Sequence, residues 1–194
     1  LADCDFDHPA IQKPLPGLLG AELQRSVRVL SGSILERQEL QSQLVHEANH
    51  DSLTGLANRA SLVRTLDEAH AVPGNRSVAA VFVDLDDFKL ANDRHGHAVG
   101  DEVLRVIAQR MSTLVSPPVT VARLGGDEFV VVLPNVESSD EAVDLAYRIV
   151  EAVAEPIDVD GVPVEVGASA GVAVSSDGDP SELLRRADVA VYRA

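Results

Sequence analysis

Ser77-Val78-Ala79-Ala80-Val81-Phe82-Val83 runs directly into Asp84-Leu85-Asp86-Asp87. The uncharged run reads as a strand covered on both faces, and therefore as the central strand of its sheet. Three carboxylates in the next four residues crowd like charge where a buried strand emerges, at a cost that only solvent or a cation relieves. Asp84 and Asp86 share one strand face. An aspartate at a strand end is commonly a turn former, whereas three of them followed by Lys89 equally admit a metal-plus-phosphate site.

A second acidic stretch lies about forty residues on, in Val121-Ala122-Arg123-Leu124-Gly125-Gly126-Asp127-Glu128-Phe129-Val130-Val131-Val132-Leu133. Val119 to Leu124 and Phe129 to Leu133 are expected to be two strands, and Gly125 and Gly126 permit the positive φ of a tight reversal. The pattern predicts a β-hairpin with carboxylates at its tip. Asp127 shares parity with Phe129 and Glu128 with Val130, unless the glycines introduce a bulge. Taken alone, the tip is also compatible with solvated turn chemistry.

Working outward, residues 1–20 hold Pro9, Pro14, Pro16 and Gly17 and are expected to be irregular. A long helix is expected over 21–48, with Leu23, Val27, Leu30, Ile34, Leu44 and Ala48 on one seam. Arg37 and Gln41 interrupt that seam and Ser31-Gly32-Ser33 weakens it, so a coiled-coil connector and a helix packed on its own domain both remain open. Asn49 to Arg59 is dense in capping and turn residues and reads as a junction before a helix over 59–69. Pro73-Gly74-Asn75 marks a turn. His95 and His97 sit beside glycines with no Cys or further His gathered near them, which is a poor start for zinc. Helices are expected through Val103 to Met111, after Ser138-Ser139, and from Pro180 onward. Ile157 to Val164 reads as a second hairpin turning at Asp160-Gly161, and Val166 to Val174 as a strand of small residues.

Composition narrows the partners. Lys plus Arg is 16 and Asp plus Glu is 31, a formal net charge of −15 over 194 residues. That sign disfavours the phosphate backbone of long nucleic acids, but carboxylates holding a divalent cation still admit a small phosphorylated ligand. No apolar run approaches the roughly 18 residues of a spanning helix, so no membrane contact by this segment is expected. The single Cys4 forms no internal disulfide, which fits a reducing cytosol.

Five motifs in order carry a resemblance: Asp-x-Leu-Thr-Gly-Leu-x-Asn-Arg (51–59), Asp-Leu-Asp-Asp-Phe-Lys-x-x-Asn-Asp (84–93), Gly-His-x-x-Gly-Asp (96–101), Arg-Leu-Gly-Gly-Asp-Glu-Phe (123–129) and Ala-Asp-x-Ala-x-Tyr (187–192). The chain resembles the GGDEF family of bacterial diguanylate cyclases. The resemblance implies an α/β domain of α+β palm type, ferredoxin-like and related to nucleotidyl cyclases. Its central, mostly antiparallel sheet is flanked by helices and preceded by the long N-terminal helix. The implied organisation is an irregular segment (1–20), a signalling helix (21–48) and a catalytic domain (49–194) truncated at its C-terminus. The implied activity is condensation of two GTP into cyclic di-GMP and pyrophosphate, by a homodimer that an upstream sensory domain of the same chain controls in the cytoplasm. A catalytically silent GTP-binding or dimerisation module is the alternative.

By position, Asp84, Asp127 and the Leu85 carbonyl match the ligands of Mg²⁺ or Mn²⁺. Glu128 matches a second required acid. Lys89 and the Phe88 backbone match the phosphate contacts, and Lys89 with Asp127 and Glu128 the catalytic set. Asn92 and Asp101 match the pair that reads guanine, whose N1–H and N2 amino donors suit a carboxylate. Gly125 and Gly126 let the nucleotide lie close to the main chain. Two departures stand out. Many relatives carry an Arg-x-x-Asp product-inhibition motif where this chain has Ser116-Pro117-Pro118-Val119, which implies no feedback through that site. Related sequences also continue past Tyr192 with basic residues that contact the triphosphate, so weaker activity is implied for this segment.

Overall fold

The computed structural model describes residues 18–71, 77–175 and 179–192. The turn at Pro73-Gly74-Asn75 and all but the end of the anticipated irregular segment lie outside them. By packing, the chain divides into two units, Leu1–His46 and Glu47–Ala194. Helix α1 is Leu18–Asn49. It runs unbroken through Ser31-Gly32-Ser33, where the Ser31 hydroxyl donates to the Val27 carbonyl of its own helix at 2.7 Å, satisfying the hydroxyl without leaving the helix. Leu30, Ile34 and Leu44 of the expected seam are exposed. Among the described residues no helix is long and apolar enough to cross a membrane.

The second unit carries, in chain order, α2 (Arg59–Ala71), β1 (Val78–Asp86), α3 (Phe88–His95), α4 (His97–Thr113), β2 (Thr120–Gly125), β3 (Glu128–Leu133), α5 (Ser139–Ala154), β4 (Ile157–Val159), β5 (Val162–Val164), β6 (Gly167–Ser175) and α6 (Pro180–Val191). Four strands form an antiparallel sheet in the order β2-β3-β1-β6, with β4 and β5 as a separate two-stranded ribbon. The uncharged run is therefore an interior strand, as its composition demands. Ala79, Val81, Val83 and Leu85 face one core, with Phe88, Val103, Ile107, Met111 and Ile149 from the helices. Val78, Ala80 and Phe82 face a second core, with Leu62 and Leu66 of α2 and Leu183 and Ala187 of α6. Alternation along one strand thus serves both layers. Leu62, Leu66, Val81, Ile107 and Phe129 are fully buried, and each such side chain contributes about 1.5–3 kcal/mol through burial.

Several local expectations shift. β1 continues through Asp86, so Asp84 lies inside the ladder rather than beyond its end. Phe88–His95 is a helix that the pattern does not announce, because only Phe88 in it is buried. Gly96, at φ 86°, separates it from α4, which begins at His97 and therefore contains Gly100 and Asp101. The glycines of β6 serve packing at Gly171, where an added Cβ would collide with the backbone of Ala187 and Val191. Ser138 caps α5 by accepting from the Asp140 N–H at 3.2 Å.

Candidate active site

β1 and the β2–β3 hairpin bring the two acidic stretches together. Asp84 pairs with Glu128 across the ladder, and the Leu85 N–H donates to the Asp127 carbonyl at 3.3 Å. Asp84 continues the face of Val78, Ala80 and Phe82, and Glu128 that of Val130 and Val132, so both point to the layer of α2 and α6. Asp84 is half-buried, Asp127 likewise, and Glu128 is exposed. Burial pushes the Asp84 carboxyl above the usual aspartate range, and the charges of Asp127, Glu128, Asp86 and Asp188 push in the same direction. The contribution of Asp188, on α6, joins the Ala-Asp-x-Ala-x-Tyr motif to this corner.

The hairpin tip is bulged. The register passes from Arg123 opposite Phe129 to Gly125 opposite Glu128. Gly125 and Gly126 have φ values of 142° and 55°, and a Cβ on either would meet nothing within 4 Å. Backbone conformation rather than crowding therefore requires glycine there, and the main chain at the tip lies open to an approaching molecule.

Toward the neighbouring strand β6, Asp86, on the same face of β1 as Asp84, accepts from the Ser169 hydroxyl at 2.9 Å and lies beside Gly167, where a Cβ would come within 3.0 Å of its carboxylate. Asp87 adopts the left-handed conformation, φ 57°, and turns the chain into α3. Phe88 starts that helix with its ring buried and Lys89 follows, exposed. First-turn N–H groups have no acceptor within their own helix, which suits a phosphate oxygen at the Phe88 backbone. The side chain of half-buried Asn92 lies against Gly100, and Asp101 is the next residue of α4. The α3–α4 corner thus brings together the residues matched to guanine reading.

Among the described residues no three His, Cys, Asp or Glu side chains converge as a cage for a metal ion. The matched donors are instead two carboxylates and a carbonyl. Such a set fits a hard divalent cation that keeps water and substrate oxygens in its other positions. The like-charge crowding around Asp84 fits the same cation.

Two residues outside the expected set belong here. Arg123 is buried to 9% exposure, and its guanidinium donates to the Gly126 carbonyl and to Asp51. An arginine in an otherwise apolar strand signals a partner, since a buried charge needs one, but its position does not say which. Asp188 is the second, and nothing local to α6 announces its proximity to Asp84.

The family described as diguanylate cyclase, GGDEF domain, matches residues 48–194. The diguanylate cyclase TpbB of Pseudomonas aeruginosa is 40% identical over 162 residues, which cover 81% of this chain and 37% of that protein. The bifunctional diguanylate cyclase/cyclic di-GMP phosphodiesterase MucR of the same species is 37% identical over 181 residues, 91% of this chain and 26% of that protein. The chain thus spans between 26% and 37% of the length of these two curated relatives. A sensory box/GGDEF family protein of Caulobacter crescentus has a similar solved structure, with TM-score 0.69 and 43% identity, covering 75% of this chain and 97% of that one. The coiled coil and GGDEF domain of DgcB from the same organism, solved in complex with c-di-GMP, is similar with TM-score 0.77 and 27% identity, covering 88% of this chain and 92% of that one. With the antiparallel sheet, the acidic hairpin tip and these matches in agreement, the chain belongs to the GGDEF-domain diguanylate cyclase family.

Proposed function

We propose that the region from 49 onward condenses two GTP into cyclic di-GMP, releasing two pyrophosphates, with one GTP held on each of two facing copies. The observation that supports this most is the convergence of Asp84, Asp127 and Glu128 beside an open glycine tip. Each ribose 3′-oxygen attacks the α-phosphorus of the other nucleotide, and the bond to pyrophosphate breaks. Magnesium or manganese, when held by Asp84, Asp127 and the Leu85 carbonyl, neutralises triphosphate charge and acidifies the attacking hydroxyl.

The chain's own groups do the rest. Lys89 and the Phe88 N–H hold phosphate oxygens, and Lys89 balances charge on the leaving pyrophosphate. Asp101 accepts from the guanine N1–H and N2 amino group, Asn92 completes that edge, and adenine, an acceptor at N1, is refused. Glu128, opposite Asp84, keeps the corner anionic and is required for turnover. The helix over 21–48 connects this output to an upstream sensory domain.

Incubation with GTP and Mg²⁺ is expected to yield cyclic di-GMP, and Asp127→Ala to abolish it. A protein that binds GTP and dimerises yet forms no product would instead be the silent signalling module.

A further inference from the structure

We propose that Arg123 is a positioning residue for the hairpin tip, clamped between the Gly126 carbonyl and Asp51, so that the junction turn sets the orientation of Asp127. This rests on the cyclase reading above. The Arg123 Nε and Nη2 both donate to the Gly126 carbonyl, at 3.1 and 2.7 Å, while Nη1 donates to Asp51 Oδ1 at 2.9 Å. The Gly126 carbonyl lies in the peptide plane that also contains the Asp127 nitrogen. On the far side of Asp127, its own carbonyl accepts from the Leu85 N–H at 3.3 Å. The two peptide planes that flank the Asp127 Cα are therefore each held, one by Arg123 and one by β1. With both planes held, the direction of the Asp127 Cα–Cβ bond is set.

The clamp is needed because the ladder fails at this point. The register slips between Arg123 and Gly125, and Gly126 adopts φ 55°, so strand pairing alone does not orient the tip. The other anchor is stiff. Asp51 Oδ1 also accepts from the Thr54 N–H at 2.9 Å and the Thr54 hydroxyl at 2.6 Å. The Asp51 N–H donates to Leu56, the Gly55 N–H donates back to the Asp51 carbonyl, and both distances are 2.8 Å. The turn is joined to β2 as well, since the Arg123 N–H donates to the Ala57 carbonyl at 2.9 Å and Ala57 bridges Ala122 in parallel. A planar fork reaches two acceptors on opposite sides, which a lysine ammonium does not reproduce. The junction thus reaches the reacting corner through one side chain, although its own polar groups touch no reacting atom.

The test compares the chain with Arg123→Lys, Asp51→Asn and the double variant, measuring cyclic di-GMP formation, GTP KM, thermal midpoint and amide hydrogen exchange. Misplacement of a carboxylate by about an ångström gives a fall in kcat of roughly 10- to 100-fold for Arg123→Lys. The KM for GTP is expected to change less than about threefold. Exchange is expected to rise at residues 124–128 and not in β1 or α5. Asp51→Asn, which keeps an acceptor for Thr54, should show the same pattern more weakly, and the double variant should fall no further than Arg123→Lys. Unchanged turnover and tip exchange in Arg123→Lys overturn the proposal, as does a parallel loss of kcat, GTP affinity and midpoint, which is what a merely structural role gives. If Arg123→Lys does not fold, Asp51→Asn decides by the same readouts. Should the unsubstituted chain make no product, the cyclase reading fails, while tip-confined exchange still supports the clamp and unaltered tip exchange still refutes it.

Discussion

Asp84 of β1 stands directly opposite Glu128 of β3 in the antiparallel ladder. Like charges at facing positions destabilise a sheet, and here burial and three further acids, Asp127, Asp86 and Asp188, add to the cost. A sheet built for stability alone would avoid this pairing.

Removing one charge should therefore stabilise the metal-free protein. In the presence of a chelator, Asp84→Asn is expected to raise the thermal midpoint by about 1–2 °C, as a gain of roughly half a kcal/mol does for a chain of this size. Added Mg²⁺ or Mn²⁺ should raise the midpoint of the unsubstituted chain through selective binding to the folded state, and should not raise that of Asp84→Asn. Equal cation responses in the two proteins would remove Asp84 from the ligand set.

Gly100 controls Asn92. An added methyl at Gly100 would collide with Asn92 Oδ1, so Gly100→Ala must swing that side chain away. The midpoint should move little, because the clashing group is the far end of a half-buried side chain. GTP KM is expected to rise roughly tenfold or more, the loss of about one good hydrogen bond to substrate. Steady-state kinetics with GTP and ATP decide this; unaltered GTP KM would separate Asn92 from guanine reading.

The junction carries a pH signature. Burial pushes the Asp51 carboxyl up, but hydrogen bonds from the Thr54 hydroxyl, Arg123 and the Thr54 N–H, with the Arg123 charge, hold it below the usual range. A folded-state pKa that is depressed contributes stability above the unfolded value, near 3.8, and that stability is lost as pH falls through the folded value. Asp51→Asn should thus be less stable than the unsubstituted chain at neutral pH, and the gap should close in acid. Asp84 is shifted the opposite way but is common to both proteins, so it cancels in the comparison. Midpoints measured from pH 2 to 7 check the sign, and a gap that widens in acid would contradict it.

Product inhibition supplies the last test. The stretch from Ser116 to Val119 offers no guanidinium or carboxylate before β2. Cyclic di-GMP titrated into the reaction is expected to leave the initial rate unchanged, apart from competition with GTP at the tip. Inhibition with GTP held saturating, relieved by substitution within 116–119, would sink this expectation.

What was readable in the chain was local. The Val78–Val83 run, the glycines of the hairpin, Ser138 as a cap and the Asp160-Gly161 turn each announce their element, because strand periodicity, positive φ and capping depend on residues a few positions apart. Residue types left each acidic stretch open to turn chemistry, and it was the resemblance to the family's motifs that joined Asp84 to Asp127 as expected ligands of one cation. Helix Phe88–His95 was illegible because a helix held mainly by one buried ring has no apolar stripe to display. The Asp51–Arg123 pair joins positions 72 apart, and the approach of Asp188 to Asp84 depends on how α6 lies against β1 and β6. Charges and hydrogen-bonding groups declare that they need partners. Only the packing of the sheet against its two helical layers selects which partners come within reach, since that choice depends on distances in space that sequence separation does not encode.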